Sequence, residues 1–179
     1  MGRELILIQI IEFKKWKPLS RTHRLDELWR YLGEEKAAAL MGEFALFLLN
    51  YYQSLIINTI KNQKFKKPYT PLSVEYALFK KRKHLKPGFW QEYGDLQENL
   101  THWRESDGTY MIGFKPDTKH SVNGADQTMI ANVLERGSEK MHVPARPLFT
   151  PIAAAIRKGI IPFFEKFLRV KHPELIQYI

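Results

Sequence analysis

No cysteine occurs among the 179 residues, which excludes a disulfide scaffold and thiolate chemistry and leaves the redox compartment open. The histidines, His23, His84, His102, His120, His142 and His172, are scattered, and none forms a His-x-x-His or His-Glu-x-x-His pair. No metal site and no cofactor is expected on that pattern. Phosphate-binding fingerprints are missing too. Glycines stand singly, in neither G-x-G-x-x-G nor G-x-x-x-x-G-K-S/T, and Asp107-Gly108 and Asn123-Gly124 read as turns. Long apolar runs are scarce: Ala37 to Leu49 is interrupted by Glu43 and reads as too short to span a bilayer. Leu5 to Ile11 follows only Arg3 and Glu4, meets Glu12, and lacks a small-residue cleavage site, so a strand is expected there and not a signal peptide. No membrane partner is expected, and no repeat or low-complexity tract is evident.

Acidic residues are also in short supply. Against 28 lysines and arginines stand 19 aspartates and glutamates, a net charge of +9. That balance favours polyanions, whether nucleic acid, an acidic membrane or an acidic protein surface, although solubility alone also accounts for a positive surface. With 44% apolar residues, the chain can build one substantial core, and a single domain over residues 1–179 is expected, with 1–33 as a strand or arm added to it.

The dominant positive feature is a helical segment from Glu34 to about Asn62 with two apolar stripes. Leu40, Phe44, Phe47, Tyr51 and Leu55 recur at spacings of three and four; Met41, Ala45, Leu49, Tyr52, Ile56 and Ile60 run beside them. Two stripes suggest a central core helix, or a core helix that also meets another subunit. Gly42 in its interior suggests a close approach by another backbone. Upstream, Leu25, Leu28, Trp29 and Leu32 form a short amphipathic helix within Arg21 to Leu32, with Gly33 as the separator.

Beyond the long helix, Pro68 and Pro71 enforce extended chain. Ser73 to Lys83 reads as a helix with Val74, Ala77 and Leu78 on one side, ended by Pro87-Gly88. A strand is expected at Thr109 to Phe114 after the Asp107-Gly108 turn, and a loop at Pro116 to Gly124. Gln127 to Arg136 is helical with Met129, Ile130, Val133 and Leu134 on one face, or else an irregular strand. Thr150 and Pro151 supply an N-cap and first residue for a C-terminal helix whose face is Ile152, Ile156, Ile160, Phe163, Phe164 and Phe167, bent or divided near Lys158 by Pro162. The fold class is α+β: a long central helix packed against a small antiparallel sheet, with a C-terminal helix.

Three constellations bear on chemistry. His102 near Glu105 and Asp107 is a candidate base, with a surface or interface histidine as the plainer alternative. Asp95 and Glu98 share a helix side, a spacing too common to imply hydrolysis. Lys80, Lys81, Arg82, Lys83 and Lys86, with Lys61, Lys64, Lys66 and Lys67, form a basic patch interleaved with Phe65, Tyr69, Tyr76 and Phe79. Such a patch serves a solvated face, passing DNA or an acidic protein, and biases binding without reading sequence. Separately, Pro144-Ala145-Arg146-Pro147-Leu148-Phe149 holds Arg146 in a restricted backbone, as a structural junction or an interface anchor whose fork clamps a carboxylate or backbone carbonyls.

Several blocks, in order, resemble the virion-morphogenesis or tail-completion proteins of tailed phages, small neck and minor-tail components. Tyr69-Thr70-Pro71-Leu72-Ser73, with Tyr76 and Lys80 downstream, is similar to the family's aromatic-x-Pro-Leu-Ser segment. Gly94-Asp95-Leu96 resembles its Gly-x-Leu element. Leu134-Glu135-Arg136-Gly137 resembles its acidic-Gly signature, and Val143 to Phe149 its Pro-Ala-Arg-Pro-Phe-Leu motif, here with the order Leu148-Phe149 and with Ile130-Ala131 where an aromatic-Ala pair is usual. The resemblance covers about residues 34–170.

It implies a noncatalytic structural subunit in tail completion and head-tail joining, located in the virion at the head-tail junction or tail end and assembled in the host cytoplasm. Its implied partners are its own copies in a closed ring, a hexamer being one candidate, and tail terminator, tail tube or head-connector proteins, with nonspecific contact to passing DNA. The assembly interface expected on this basis is Met41, Ala45, Leu49, Tyr52, Ile56, Arg146, Leu148 and Phe149. The patch facing DNA or an acidic partner is Lys64, Lys66, Lys67, Lys80, Lys81, Arg82, Lys83 and Lys86. The competing expectation is a basic nucleic-acid-binding module or a nuclease.

Overall fold

A computed structural model of the chain describes residues 8–11, 23–65, 69–91, 93–115 and 117–178, with side chains from Asp26 onward. The order of elements is β1 (Ile8–Ile11), α1 (His23–Asn62), α2 (Val74–Arg82), α3 (Asp95–Glu98), β2 (Thr101–Arg104), β3 (Tyr110–Gly113), α4 (Gln127–Arg136), α5 (Phe149–Lys158), α6 (Ile160–Lys171) and a 3₁₀ helix at Pro173–Tyr178. The α+β class is as expected: α1 lies against the sheet on one side and against α5, α6 and the 3₁₀ helix elsewhere.

The helix α1 is two helices joined at Gly33, whose φ of 72° and ψ of 169° leave the helical region. Glycine meets that positive φ without the Cβ penalty of other residues. Leu28 is fully buried on the first segment, and Trp29 and Leu32 pack beside it, as their spacing predicts. On the second segment Phe44 meets Phe164 edge-on at 5.0 Å and Phe167 at 5.5 Å, while Phe47 also meets Phe167. This aromatic cluster joins α1 to α6.

The second stripe of α1 is likewise enclosed by the chain itself. Ala45, Leu49, Tyr52 and Ile56 are buried in the core, and Met41 packs against it. The structure thus corrects the assignment of these side chains to an intersubunit face: α5, α6, β2 and β3 already cover the helix on several sides. Leu148 and Phe149 are buried in the same core. The large apolar side chains exposed on α1, among the described residues, are Tyr31, Leu46 and Tyr51. By length and composition α1 from Asp26 to Asn62 also passes as a bilayer span. The apolar character continues past Leu49 through Ile56, Ile57 and Ile60, so the stretch is longer than its first half suggests.

The sheet is three-stranded and antiparallel in the order β1-β3-β2. Within the expected N-terminal strand the described part is Ile8–Ile11, which pairs with β3 through Ile8 to Ile112 and Gln9 to Met111 before a register shift. Residues 5–7 of that expectation lie outside the described residues. The second strand, β2, has no signal in its Thr-His-Trp-Arg sequence, which carries no apolar alternation, and it is recruited as an edge by pairing His102 with Ile112 and Trp103 with Met111. Between β2 and β3, Asp107 accepts the Thr109 N–H at 2.8 Å and its hydroxyl at 2.9 Å, closing the turn predicted from Asp-Gly. Gly42 faces the Tyr110 hydroxyl, 3.2 Å from where a Cβ would stand. The close approach is therefore a side chain's, not another backbone's.

Phe167 contacts Phe44, Phe47 and Phe164 and is 1% exposed. Phe167→Ala should lower the unfolding free energy by about 3–5 kcal/mol, the usual cost of emptying a buried phenylalanine site. Urea unfolding followed by circular dichroism measures it, and a loss below about 1 kcal/mol would mean that α6 does not seal α1.

Candidate functional site

The sequence blocks at 69–73, 134–137 and 143–149 meet at one junction beside the core, and the block at 94–96 lines the cavity next to it. The backbone N–H of Arg146 donates to the Leu134 carbonyl at 2.7 Å, and Trp90 Nε1 donates to the Arg146 carbonyl at 3.3 Å. Tyr69 donates its hydroxyl to the Pro147 carbonyl at 2.6 Å, and Tyr52, from the middle of α1, donates to the Phe149 carbonyl at 2.9 Å. Burial and the nearby Glu135 carboxylate push both phenols well above the ordinary tyrosine range, so both remain protonated donors.

Glu135 organises the junction. Its Oε2 accepts the N–H groups of Leu148 at 2.7 Å and Phe149 at 3.0 Å, and its Oε1 accepts that of Thr150 at 2.9 Å. These are the open donors at the start of α5, where the helix dipole also favours an anion. Thr150 was expected to cap this helix from its own side chain. Instead α5 begins at Phe149 with no side-chain cap from its N-cap residue Leu148, and the cap arrives from α4. The same demand explains why α4 buries Gln127, Thr128 and Glu135 while Met129, assigned to the apolar face, is exposed. Behind Glu135, Gly137 has φ of +78°, and a Cβ there would stand 2.8 Å from the Ala145 nitrogen. Glycine alone fits that turn.

The guanidinium of Arg146 points from this junction into a cavity of about 220 Å³ lined in part by Leu72, Tyr76, Lys80, Phe89, Trp90 and Leu134. It lies 5.0 Å from the centre of the Phe89 ring and is 6% exposed. Its Nε has no hydrogen-bond partner among the described residues. Burial lowers its pKa, and Tyr76 and Tyr69 partly offset this. The expected surface clamp is therefore a buried one.

The basic patch divides. Lys64, Lys81, Arg82, Lys83 and Lys86 are exposed, and Lys66 and Lys67 lie outside the described residues. Lys80 departs from the expectation: it is 3% exposed, with Nζ donating to the Gly88 carbonyl at 2.8 Å and lying over the Tyr76 ring. It turns inward because α2 presents Tyr76 and Lys80, not Val74, Ala77 and Leu78, to the protein; Val74 and Leu78 are 75% and 51% exposed. The interleaved aromatics largely engage one another and Phe89: Phe65 and Tyr69 are 4.4 Å apart, and Tyr69 meets Phe89 at 5.4 Å.

The candidate acid-base groups are held in structural bonds. His102 Nδ1 lies 2.9 Å from Gln53 Oε1, whereas Glu105 accepts Trp103 Nε1 and Asp107 serves its turn. Asp95, His120 and Ser121 do come together, a grouping invisible in the sequence because 24 intervening residues separate Asp95 from His120. Ser121 donates both its N–H, at 2.6 Å, and its hydroxyl, at 3.0 Å, to Asp95, and His120 Nε2 is 3.8 Å from the same carboxylate. The hydroxyl proton thus goes to the acid and not to the imidazole, whose Nδ1 accepts the Val122 N–H. This order ties down a loop; it does not activate a nucleophile. Burial alone would raise the Asp95 carboxyl, but the Ser121 bonds and His120 bring it below its ordinary value. Among the described residues no cluster of three metal-ligating side chains occurs.

No protein-family model matches the chain, and neither the curated proteins nor the solved structures contain a significant match to it.

Two predictions follow from these bonds. Glu135→Gln, which keeps shape but removes the charge, should cost about 1.5–3 kcal/mol in urea unfolding, the range for hydrogen bonds to a charged group. An unchanged midpoint would reject Glu135 as the cap of α5. For Asp95, a folded-state pKa below the unfolded one means that its contribution is present above the unfolded value, about 3.9, and is lost as pH falls through the folded value. Asp95→Asn should therefore destabilise the protein at pH 7, with the difference from wild type shrinking toward pH 2. A difference that grows on acidification would contradict that sign.

Proposed function

We propose that this chain is a noncatalytic docking subunit of a phage tail, acting in tail completion and head-tail joining as a ring component. The observation that carries this proposal is the meeting of the family-like blocks at 69–73, 134–137 and 143–149 in the Glu135–Arg146 junction, where Tyr69, Leu134 and Glu135 bond to one short segment. A motif set spread over the sequence then describes one physical object, a braced turn at the start of α5.

The surface that docks is not the buried stripe of α1. α2 offers an alternative: Val74 and Leu78 are exposed beside Ala77, and Lys81, Arg82 and Lys83 follow in the last turn and its cap. An apolar contact rimmed by cations suits an acidic face of a neck or tail protein, with charge guiding approach and apolar burial supplying affinity. The five exposed cations at 64, 81, 82, 83 and 86 favour, as a second reading, a nucleic-acid-binding module.

Val74→Glu with Leu78→Glu should leave the circular dichroism spectrum and unfolding midpoint nearly unchanged, because both side chains are exposed, yet reduce incorporation into tails by about tenfold or more, the equivalent of 1.4 kcal/mol. Sedimentation with purified tails and an in vitro head-tail joining assay measure this. Unreduced incorporation rejects α2 as the docking face. Salt-sensitive duplex binding that survives this pair of substitutions and disappears on neutralising Lys81, Arg82 and Lys83, without any tail association, favours the nucleic-acid reading.

A further inference from the structure

We propose that the cavity beside Arg146 is a carboxylate-binding site, with the Arg146 guanidinium as its recognition group. Nothing in the docking proposal requires this site, which stands on its own geometry; that proposal enters only in the choice of a peptide as one probe.

Arg146 carries an uncompensated charge among the described residues. Arg146 is buried, lines the cavity, and has no ion pair among those of the described residues. Its Nε–H is without a hydrogen-bond acceptor among the described residues. Of the described carboxylates nearby, Glu135 holds three N–H groups of α5, and Asp95, which also lines the cavity, holds Ser121. A buried guanidinium without an anion is costly, and an entering carboxylate removes that cost while gaining charge-assisted hydrogen bonds.

Geometry selects the anion. The Phe89 ring at 5.0 Å supports the guanidinium, leaving the donor fork for a planar acceptor with two oxygens. Lys80 also lines the cavity, but its ammonium already bonds the Gly88 carbonyl and lies over Tyr76. The paired donors of the fork match the two coplanar oxygens of a carboxylate, and the Lys80 charge, which a neutral carbonyl leaves in place, adds to the attraction for an anion. Leu72, Trp90 and Leu134 give part of the wall an apolar surface, with Gln91, His120 and Asn123 as polar neighbours, and about 220 Å³ accommodates the hydrocarbon group that carries the acid. The carboxylate belongs either to a protein, as a chain terminus or acidic side chain, or to a free small acid.

The test is an NMR titration of the full chain, following the Arg146 Nε–H and Trp90 Nε1–H resonances. The probes are 3-phenylpropionate, an acetylated tripeptide ending in a free phenylalanine carboxylate, the amide of each, and inorganic phosphate. Both acids should shift the two resonances, with each amide binding about tenfold or more weaker for want of the charge. A tighter fit of the peptide identifies a protein source; a tighter fit of the free acid identifies a small-molecule source. Arg146→Met should keep the fold, since it removes an unpaired buried charge, and should abolish the shift at Trp90. Should that variant fail to fold, Arg146→Lys retains the charge without the fork and should weaken binding about tenfold. Amides that bind as well as acids, phosphate that binds more tightly than either, a folded Arg146 variant with undiminished affinity, or the absence of any shift at millimolar acid would each overturn the proposal.

Discussion

A single carboxylate, that of Glu135, decides how the C-terminal half is arranged. Helix α5 starts inside the protein, where its first N–H groups cannot turn to water, and without acceptors each would carry the penalty of a buried unmatched donor. By accepting from Leu148, Phe149 and Thr150, Glu135 ties the end of α4 to the start of α5. Once that tie is made, Leu148 and Phe149 enter the core, the Phe149 carbonyl meets Tyr52 on α1, and the chain between them is pulled tight enough to need glycine at 137. α6 then brings Phe164 and Phe167 to the second segment of α1. A side chain on a ten-residue helix thereby positions the elements that cover the longest one.

Arg146 is a by-product of the same arrangement. Its backbone is fixed from both sides, the N–H by Leu134 and the carbonyl by Trp90, so its side chain has little choice of direction and is carried over Phe89 into the cavity. Ordinarily an arginine so placed would snorkel to water along its methylene stem. Here Leu72, Tyr76 and Lys80 occupy the cavity's other sides, and the guanidinium stays buried. The rigidity that makes this segment a structural junction is also what presents a charge inward, so junction and recognition group are compatible roles for one residue.

Much of the fold was legible because helix periodicity depends on local side-chain order. The α5–α6 division at Gly159 follows from Pro162 and the break at Gly33 from a single residue, while at Gln127–Arg136 spacing allows the observed helix beside an irregular strand. What spacing cannot convey is direction. The same period that marks Val74, Ala77 and Leu78 as a face leaves open whether that face is covered; in the folded chain Lys80 turns inward with the partly exposed Tyr76 beside it at the cavity, and Val74 and Leu78 stay in solvent. The two stripes of α1 posed the opposite problem. Their covering partners are as remote as Phe167 and Tyr110, and a core filled from that distance looks, in sequence, like a surface waiting for another subunit. The edge strand β2 and the Asp95–Ser121 tie were likewise hidden, since both exist only through partners far along the chain.

These facts constrain any assembly that this chain enters. The buried stripes of α1 are spent in folding, so association cannot draw on Tyr52, Ile56 or Phe44 without undoing the core, and the cost of exposing them would exceed what a modest interface returns. Contacts must instead use the apolar side chains left outside, of which those on α2 lie beside exposed cations. Such a face differs from the greasy stripe first inferred: smaller in area, rimmed by charge, and dependent on salt. Association through it would be weak for a pair of copies and would gain strength by repetition around a closed ring or by a second contact to a neighbouring protein.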